Sequence, residues 1–260
     1  TFALEFANNI HADNLASAVF PVMVALLAIM LLIGYYYHAK YSESRNGQQP
    51  LFGLDLVQVR TFRGGIGGNW LTRLGMSAIP FLRPLLLQVV QGYSPSQAGW
   101  MLAPIAVGAL VTKPLVTRIV KRFGYRKTLA GNTLLIGINI MLLSQLNQTT
   151  PIWLSVPFLT FMGACNSLQF STMNTISIAR LRPSQTSSGN SLLSVNQQLA
   201  ISFGIGFGAM LLHLLTPARA SLAQTQTAFS YSFIILGIMT ILSGLYFLRL
   251  HRFDGKGLYQ

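Results

Sequence analysis

Three apolar stretches of the sequence carry polar side chains at helical spacing. Within each stretch the polar residues recur at steps of three or four, with one step of eleven from Ser77 to Gln88, which places them on one face of a helix. They are Asn69, Arg73, Ser77 and Gln88 in residues 62–91, Ser167, Ser171 and Asn174 in residues 151–176, and Asn190, Ser194 and Gln198 in residues 187–213. These groups form hydrogen bonds, and Arg73 adds a charge suited to a carboxylate or another anion.

The polar faces allow two interpretations. Single Ser, Thr, Asn and Gln residues in apolar helices often bond a neighbouring helix, at about 0.6–2 kcal/mol for each hydrogen bond. Three polar faces together with a charge favour a cavity that contains water or a substrate.

Catalytic, metal-binding and cofactor-binding residues are not predicted. The five acidic residues and the four histidines all lie between or at the ends of the apolar stretches: Glu5, Asp13, Glu43, Asp55, Asp254, His11, His38, His213 and His251. An enzyme or a metal site within the apolar region needs such groups to converge there. A channel stays possible, although no repeated filter element is visible.

Arg73 has no acidic partner at its own depth. It lies about eleven residues into its stretch, roughly 16 Å along a helix and near the middle of a bilayer. We expect it either to pair with a carboxylate outside this sequence or to face a substrate. Arg83 and Lys113 lie nearer to the ends of their stretches, so we expect their side chains to reach an interface.

Seven apolar stretches position these residues, and each approaches the roughly 20 residues that a membrane-spanning helix needs. They cover residues 15–37, 62–91, 97–117, 128–146, 151–176, 187–213 and 227–249. Nearly all basic residues between the stretches follow the first, third, fifth or seventh, and the other gaps hold only Arg219. The positive-inside rule therefore predicts an outer loop at residues 1–14 and a cytoplasmic tail at residues 250–260.

The net charge of +13 fits this topology. Basic loops beside an anionic inner leaflet explain the excess, so we predict a lipid bilayer as partner and no nucleic acid. The polar residues 38–61 form a cytoplasmic linker between one isolated span and a bundle of six at residues 62–249. The first, fourth and fifth helices of the bundle are predicted to line a cavity. The third and sixth are more uniformly apolar, so they are predicted to lie outside.

Residues 117–127 resemble a cytoplasmic loop signature of the major facilitator superfamily. Arg122, Gly124 and either Lys127 or Arg126 match it, whereas Thr117 and Lys121 replace the expected Gly and Asp. The segments around Pro50, Pro80–Gln88 and Gly92–Gly99 resemble the fourteen-helix drug:proton antiporter branch. Residues 166–175 and 187–194 resemble multidrug transporters of the MdtD type within that branch.

This resemblance implies an all-α membrane protein with a C-terminal six-helix bundle, preceded at residues 15–37 by an extra transmembrane helix. The N-terminal bundle would be missing from this sequence, and Thr1–Leu4 would be the tail of an earlier span. The family works by alternating access, with the substrate between two bundles and coupling carboxylates often in the N-terminal one. Arg122, Gly124, Arg126 and Lys127 would belong to a loop that moves between conformations.

The sequence therefore predicts a secondary active transporter in a bacterial inner membrane, with several spans and a cytoplasmic C-terminus. Its function would be proton-coupled export of small organic compounds, and its partners the lipid bilayer, a small-molecule substrate and the N-terminal bundle. Two alternatives stay open. One is export of an organic anion or of a metal chelate, and the other is a membrane partner or sensor that does not transport.

Overall fold

A computed structural model describes residues 60–146, 152–179, 181–217 and 219–248, together with Met30, Ile33, Gly34 and Tyr37. The contacts divide the chain into two units, Thr1–Leu54 and Asp55–Gln260. Apart from the four residues just named, the predicted outer loop, the span at 15–37 and the linker up to residue 59 lie outside the described residues, as does the tail from residue 249. No strand occurs in the described residues, so the predicted all-α fold is confirmed there.

Eight helices follow one another in the described residues of the second unit. They are α1 (Arg60–Met76), α2 (Ile79–Val89), α3 (Pro95–Trp100), α4 (Ala103–Phe123), α5 (Tyr125–Leu143), α6 (Ile152–Ile178), α7 (Pro183–Leu215) and α8 (Leu222–Phe247). Three described segments are long and apolar enough to cross a membrane by length and composition, namely Pro95–Phe123, Gln185–Leu215 and Leu222–Phe247. The predicted spans of the bundle match helices to within a few residues at most ends.

The predicted span 62–91 consists of two helices, because α1 ends at Met76 and α2 begins at Ile79. Pro80 lies in the first turn of α2 and has no N–H, so the carbonyl of Met76 loses its normal helical partner. The backbone N–H of Ser77 still donates to the carbonyl of Arg73 at 2.9 Å. The break is therefore a local bend at residues 77–78.

Gly124 alone separates α4 from α5. Its φ of 76° lies in the left-handed region that favours glycine, and its N–H donates to the carbonyl of Val120 at 2.8 Å. The predicted loop at 117–127 is therefore mostly helical: residues 117–123 complete α4, and residues 125–127 begin α5. This end of the bundle, with Arg122, Arg126 and Lys127, is called the basic end below.

Close backbone contact joins α4 to α6. A Cβ atom built on Gly108 would lie 1.9 Å from the carbonyl oxygen of Thr160, and one built on Gly163 would lie 1.9 Å from that of Ile105. Small residues allow such approach between membrane helices, where packing replaces the hydrophobic effect. The other main contacts join α5 to α6 and α8, and α1 to α6, α7 and α8. Helices α1 and α6 therefore each contact several other helices.

We predict that Gly163→Ala destabilises the full-length protein, because the added Cβ would force α4 and α6 apart. Overpacking of this kind costs about 1–3 kcal/mol. Thermal unfolding of the detergent-solubilised protein measures the loss. The control is Gly131→Ala in α5, where a built Cβ meets nothing within 4 Å. Equal melting temperatures for the two variants would show that the α4–α6 contact tolerates a methyl group.

Candidate functional site

Helix α7 presents an exposed polar side. Asn190, Ser194 and Gln198 are exposed and lie one turn apart, as the sequence predicts. The Ser194 hydroxyl donates to the carbonyl of Asn190 at 2.9 Å, and the Ser202 hydroxyl donates to the carbonyl of Gln198 at 3.0 Å. The hydroxyl groups thus bond their own helix. The side-chain amides of Asn190 and Gln198 have no hydrogen-bond partner among the described residues, and they can bind another molecule.

Helix α6 meets this side of α7 through an amide pair. The side-chain nitrogen of Gln197 donates to the side-chain oxygen of Asn174 at 2.5 Å. Ser167 and Ser171 are half-buried on α6, as is Asn174. The structure therefore brings Asn174 of α6 into contact with α7, beside the predicted residue Gln198.

The side chain of Arg73 extends from α1 to α6. Its Nε–H donates to the side-chain oxygen of Asn69 at 2.7 Å, and its guanidinium carbon lies 5.4 Å from the centre of the Phe170 ring. Asn69 is buried, whereas Arg73 is half-buried. An amide and an aromatic face thus stabilise this cation, in a position where the sequence predicted an ion pair or a ligand. Its two Nη groups have no hydrogen-bond partner in the described part of the chain.

Ser77 and Gln88 lie apart from this group. Ser77 is buried, and its Cβ atom would lie 3.0 Å from a Cβ built on Gly204, so it packs at the contact between α1 and α7. Gln88 lies fifteen residues beyond Arg73, roughly 22 Å farther along the helical path. We name the surface formed by Arg73, Phe170, Asn174 and the exposed side of α7 the polar face.

An apolar groove adjoins the polar face on the side away from the basic end. Its lining consists of Leu74, Ser202, Phe203, Gly206, Phe207 and Met210. The rings of Trp70 and Phe203 lie 5.2 Å apart at one edge of it. The sequence analysis searched for polar residues and so missed this groove. The spacing of Phe203, Phe207 and Met210 nevertheless places them on one side of α7. A molecule with a polar group at Arg73 could place an apolar part here.

Helix α5 carries buried polar residues that the sequence analysis missed. The side-chain nitrogen of Asn132 donates at 2.8 Å to the carbonyl of Cys165 and to the side-chain oxygen of Gln169. Gln169 in turn donates to the Thr133 hydroxyl at 2.8 Å. The sequence analysis described this helix, the third span of the bundle, as more uniformly apolar, and that description was wrong on its inner side. The helical spacing of Thr128, Asn132 and Asn139 could have indicated this polar inner side.

The basic end carries the predicted loop residues. Arg122 and Lys127 are exposed, and Arg126 is half-buried. The Arg122 guanidinium carbon lies 5.6 Å from the centre of the adjacent Phe123 ring. These charges can interact with phosphate groups of a membrane surface or with another part of the full-length protein.

Comparison with known proteins identifies a family. The model of the Major Facilitator Superfamily matches residues 66–258. A protein named for multidrug resistance, MdtD of Pectobacterium atrosepticum, is 36% identical over 234 residues, which are 88% of this chain and 49% of the relative. A protein named for transport, HsrA of Haemophilus influenzae, is 33% identical over 248 residues, covering 95% of this chain and 52% of that protein. The chain spans about half the length of these relatives.

We predict that Gln169→Leu destabilises the protein, because it removes one buried hydrogen-bond partner from Asn132 and one from Thr133. Losing a buried partner costs about 1–3 kcal/mol. Urea or thermal unfolding of the purified full-length protein gives the difference. The control is Gln198→Leu, which removes an exposed amide from α7. A larger loss for the control would contradict a stabilising role of the buried network.

Proposed function

We propose that this chain, which belongs to the Major Facilitator Superfamily, supplies the C-terminal bundle of a secondary transporter that exports small organic compounds by alternating access. The polar face is the observation that supports this proposal. Exposed amides and a cation are poorly solvated by lipid tails, so a membrane helix that displays them requires water, a ligand or another protein surface there.

The opposite side of the bundle differs in chemistry. Helices α5 and α8 pack on each other, and their exposed side chains include Leu134, Leu135 and Ile138 on α5 and Ile238 and Leu242 on α8. These residues suit lipid tails. The difference supports a substrate path on the side of α1, α6 and α7, facing the N-terminal bundle.

Proton coupling is part of the proposal, although the bundle itself offers no carboxylate. All acidic residues of the sequence lie outside residues 56–253. A proton-binding carboxylate would therefore belong to the N-terminal bundle. The multidrug resistance named for several relatives supports organic compounds as substrates.

An organic anion or a metal chelate is the second candidate substrate. The observation that favours it is Arg73, whose Nη groups have no partner among the described residues. A planar guanidinium binds a carboxylate with two parallel hydrogen bonds. The apolar groove beside it suits the rest of such a molecule.

We further propose that the protein lies in a bacterial inner membrane, with the basic end in the cytoplasm. The charges at residues 118–127 and 180–182 support this orientation by the positive-inside rule.

Arg73 variants of the full-length protein are expected to change export. Arg73→Lys retains the charge but loses the planar pair of donors and the bond to Asn69, so export of an anionic compound should fall by about tenfold. Export of anionic and cationic fluorescent compounds from energised cells, with and without a proton uncoupler, measures both selectivity and coupling. Arg63→Lys, at an exposed position near the start of α1, is the control.

Two results would contradict these roles. Unchanged export and unchanged melting temperature in both Arg73→Lys and Arg73→Gln would remove Arg73 from the mechanism. Export that persists after the proton gradient is collapsed would remove proton coupling.

Cysteine labelling is expected to place the basic end in the cytoplasm. Lys127→Cys should react with an impermeant maleimide only in opened cells, whereas Ser96→Cys at the other end should react in intact cells, since both positions are exposed. The native Cys165 is buried and gives a low background. Labelling of Lys127→Cys from outside intact cells would reverse the orientation.

A further inference from the structure

Arg83 is the largest fully buried side chain among the described residues, with 2% of its surface exposed. The expectation that it reaches an interface was therefore wrong. It lies on α2, ten residues beyond Arg73 and roughly 15 Å farther along the helical path. Its neighbours along α2, Leu82 and Leu86, belong to the main apolar core. Arg83 is thus a cation in an apolar core, apart from the polar face.

A single neutral group binds this guanidinium in the described part of the chain. The Nη2 group of Arg83 donates to the hydroxyl oxygen of Ser155 at 3.1 Å. Its Nε and Nη1 groups are fully buried and have no hydrogen-bond partner there. The N–H of Nε, both N–H bonds of Nη1 and one full positive charge are therefore unsatisfied there.

The N-terminus of α6 adds positive electrostatic potential to that of the Arg83 guanidinium. Ser155 lies in the first turn of α6, which begins at Ile152, and a helix N-terminus carries a partial positive charge and backbone N–H groups without helical acceptors. No Asp or Glu occurs between residues 56 and 253, so the bundle cannot supply a carboxylate. An arginine stays protonated in proteins, so loss of a proton does not relieve its charge.

We propose that Arg83, Ser155 and the first turn of α6 bind a small monovalent inorganic anion of the chloride class. The anion accepts hydrogen bonds from Nε and Nη1; both atoms are closed to solvent in the structure, so neighbouring side chains shift to admit it. The Ser155 oxygen accepts from Nη2, so its own hydroxyl hydrogen is available to donate to the anion. Anions bind at helix N-termini and at arginine side chains for the same electrostatic reason. The enclosure of Arg83 favours a small ion over an organic molecule.

Such an anion stabilises the contact between α2 and α6, because it compensates a charge that both helices otherwise leave unpaired. This role is independent of transport and of the polar face. It predicts that the stability of the protein depends on the kind of anion in solution.

Thermal unfolding of the purified full-length protein tests the proposal. The melting temperature in sodium chloride should exceed that in sodium gluconate of equal ionic strength by about 3 °C or more, since a ligand that binds only the folded state stabilises it. Radioactive chloride should bind saturably. Arg83→Met should remove both effects, and Ser155→Ala should weaken chloride binding severalfold. The control Lys113→Met, which removes an exposed cation of α4, should retain both.

Where Arg83→Met fails to fold, the comparison of saturable chloride binding between the unaltered protein and Ser155→Ala decides the outcome. Absence of that binding would overturn the proposal, and so would chloride-dependent melting that persists unchanged in Arg83→Met. Loss of the chloride effect in Lys113→Met as well as in Arg83→Met would also overturn it, because the effect would then come from surface charge.

Discussion

The bundle contains no carboxylate between residues 56 and 253, so each arginine inside it must be stabilised without an ion pair from its own helices. The two arginines of the α1–α2 path meet this constraint differently. Arg73 lies at a surface, where the Asn69 amide and the Phe170 ring stabilise its charge and its Nη groups stay available. Arg83 lies in the apolar core with only Ser155 as a partner. The first arrangement suits a ligand that comes and goes, and the second suits a permanently bound ion.

Helix α6 contacts five other helices of the bundle. Along its length it contacts α2 through Ser155, α4 through Gly163, α5 through Gln169, α1 through Phe170 and α7 through Asn174. Four of these contacts are polar or electrostatic and one is a close backbone approach. Lipid tails are as apolar as the helices, so such contacts, rather than the burial of apolar area, decide which helices associate.

Hydropathy predicted the helices of the bundle well. A membrane-spanning helix requires a long apolar stretch, so the helices of the bundle lie close to where the sequence placed them, and Pro80 explains the bend at residues 77–78. Helical spacing also grouped Asn190, Ser194 and Gln198 correctly on one side of α7. These properties are local, and the sequence alone determines them.

The sequence did not predict which neighbour each helical face meets. Arg83 seemed close enough to a span end for its side chain to extend to the interface, but packing by other helices encloses it. Asn132 and Gln169 bond each other because α5 and α6 happen to be neighbours, and no spacing within either helix indicates that. Phe170 lies beside Arg73 for the same reason.

The chemical asymmetry of the bundle follows from these contacts. The polar side chains of Asn132 and Thr133 are buried inside the bundle. The outer side of α5 therefore consists of leucine and isoleucine, which lipid tails solvate well. On α7 the serine hydroxyls bond their own helix, but the amides of Asn190 and Gln198 stay exposed, and lipid cannot satisfy their hydrogen bonds. The surface around α5 therefore has no hydrogen-bonding group that lipid leaves unsatisfied among the residues named. The other surface requires water, a ligand or a second protein surface, which is the requirement of a bundle that borders a transport path.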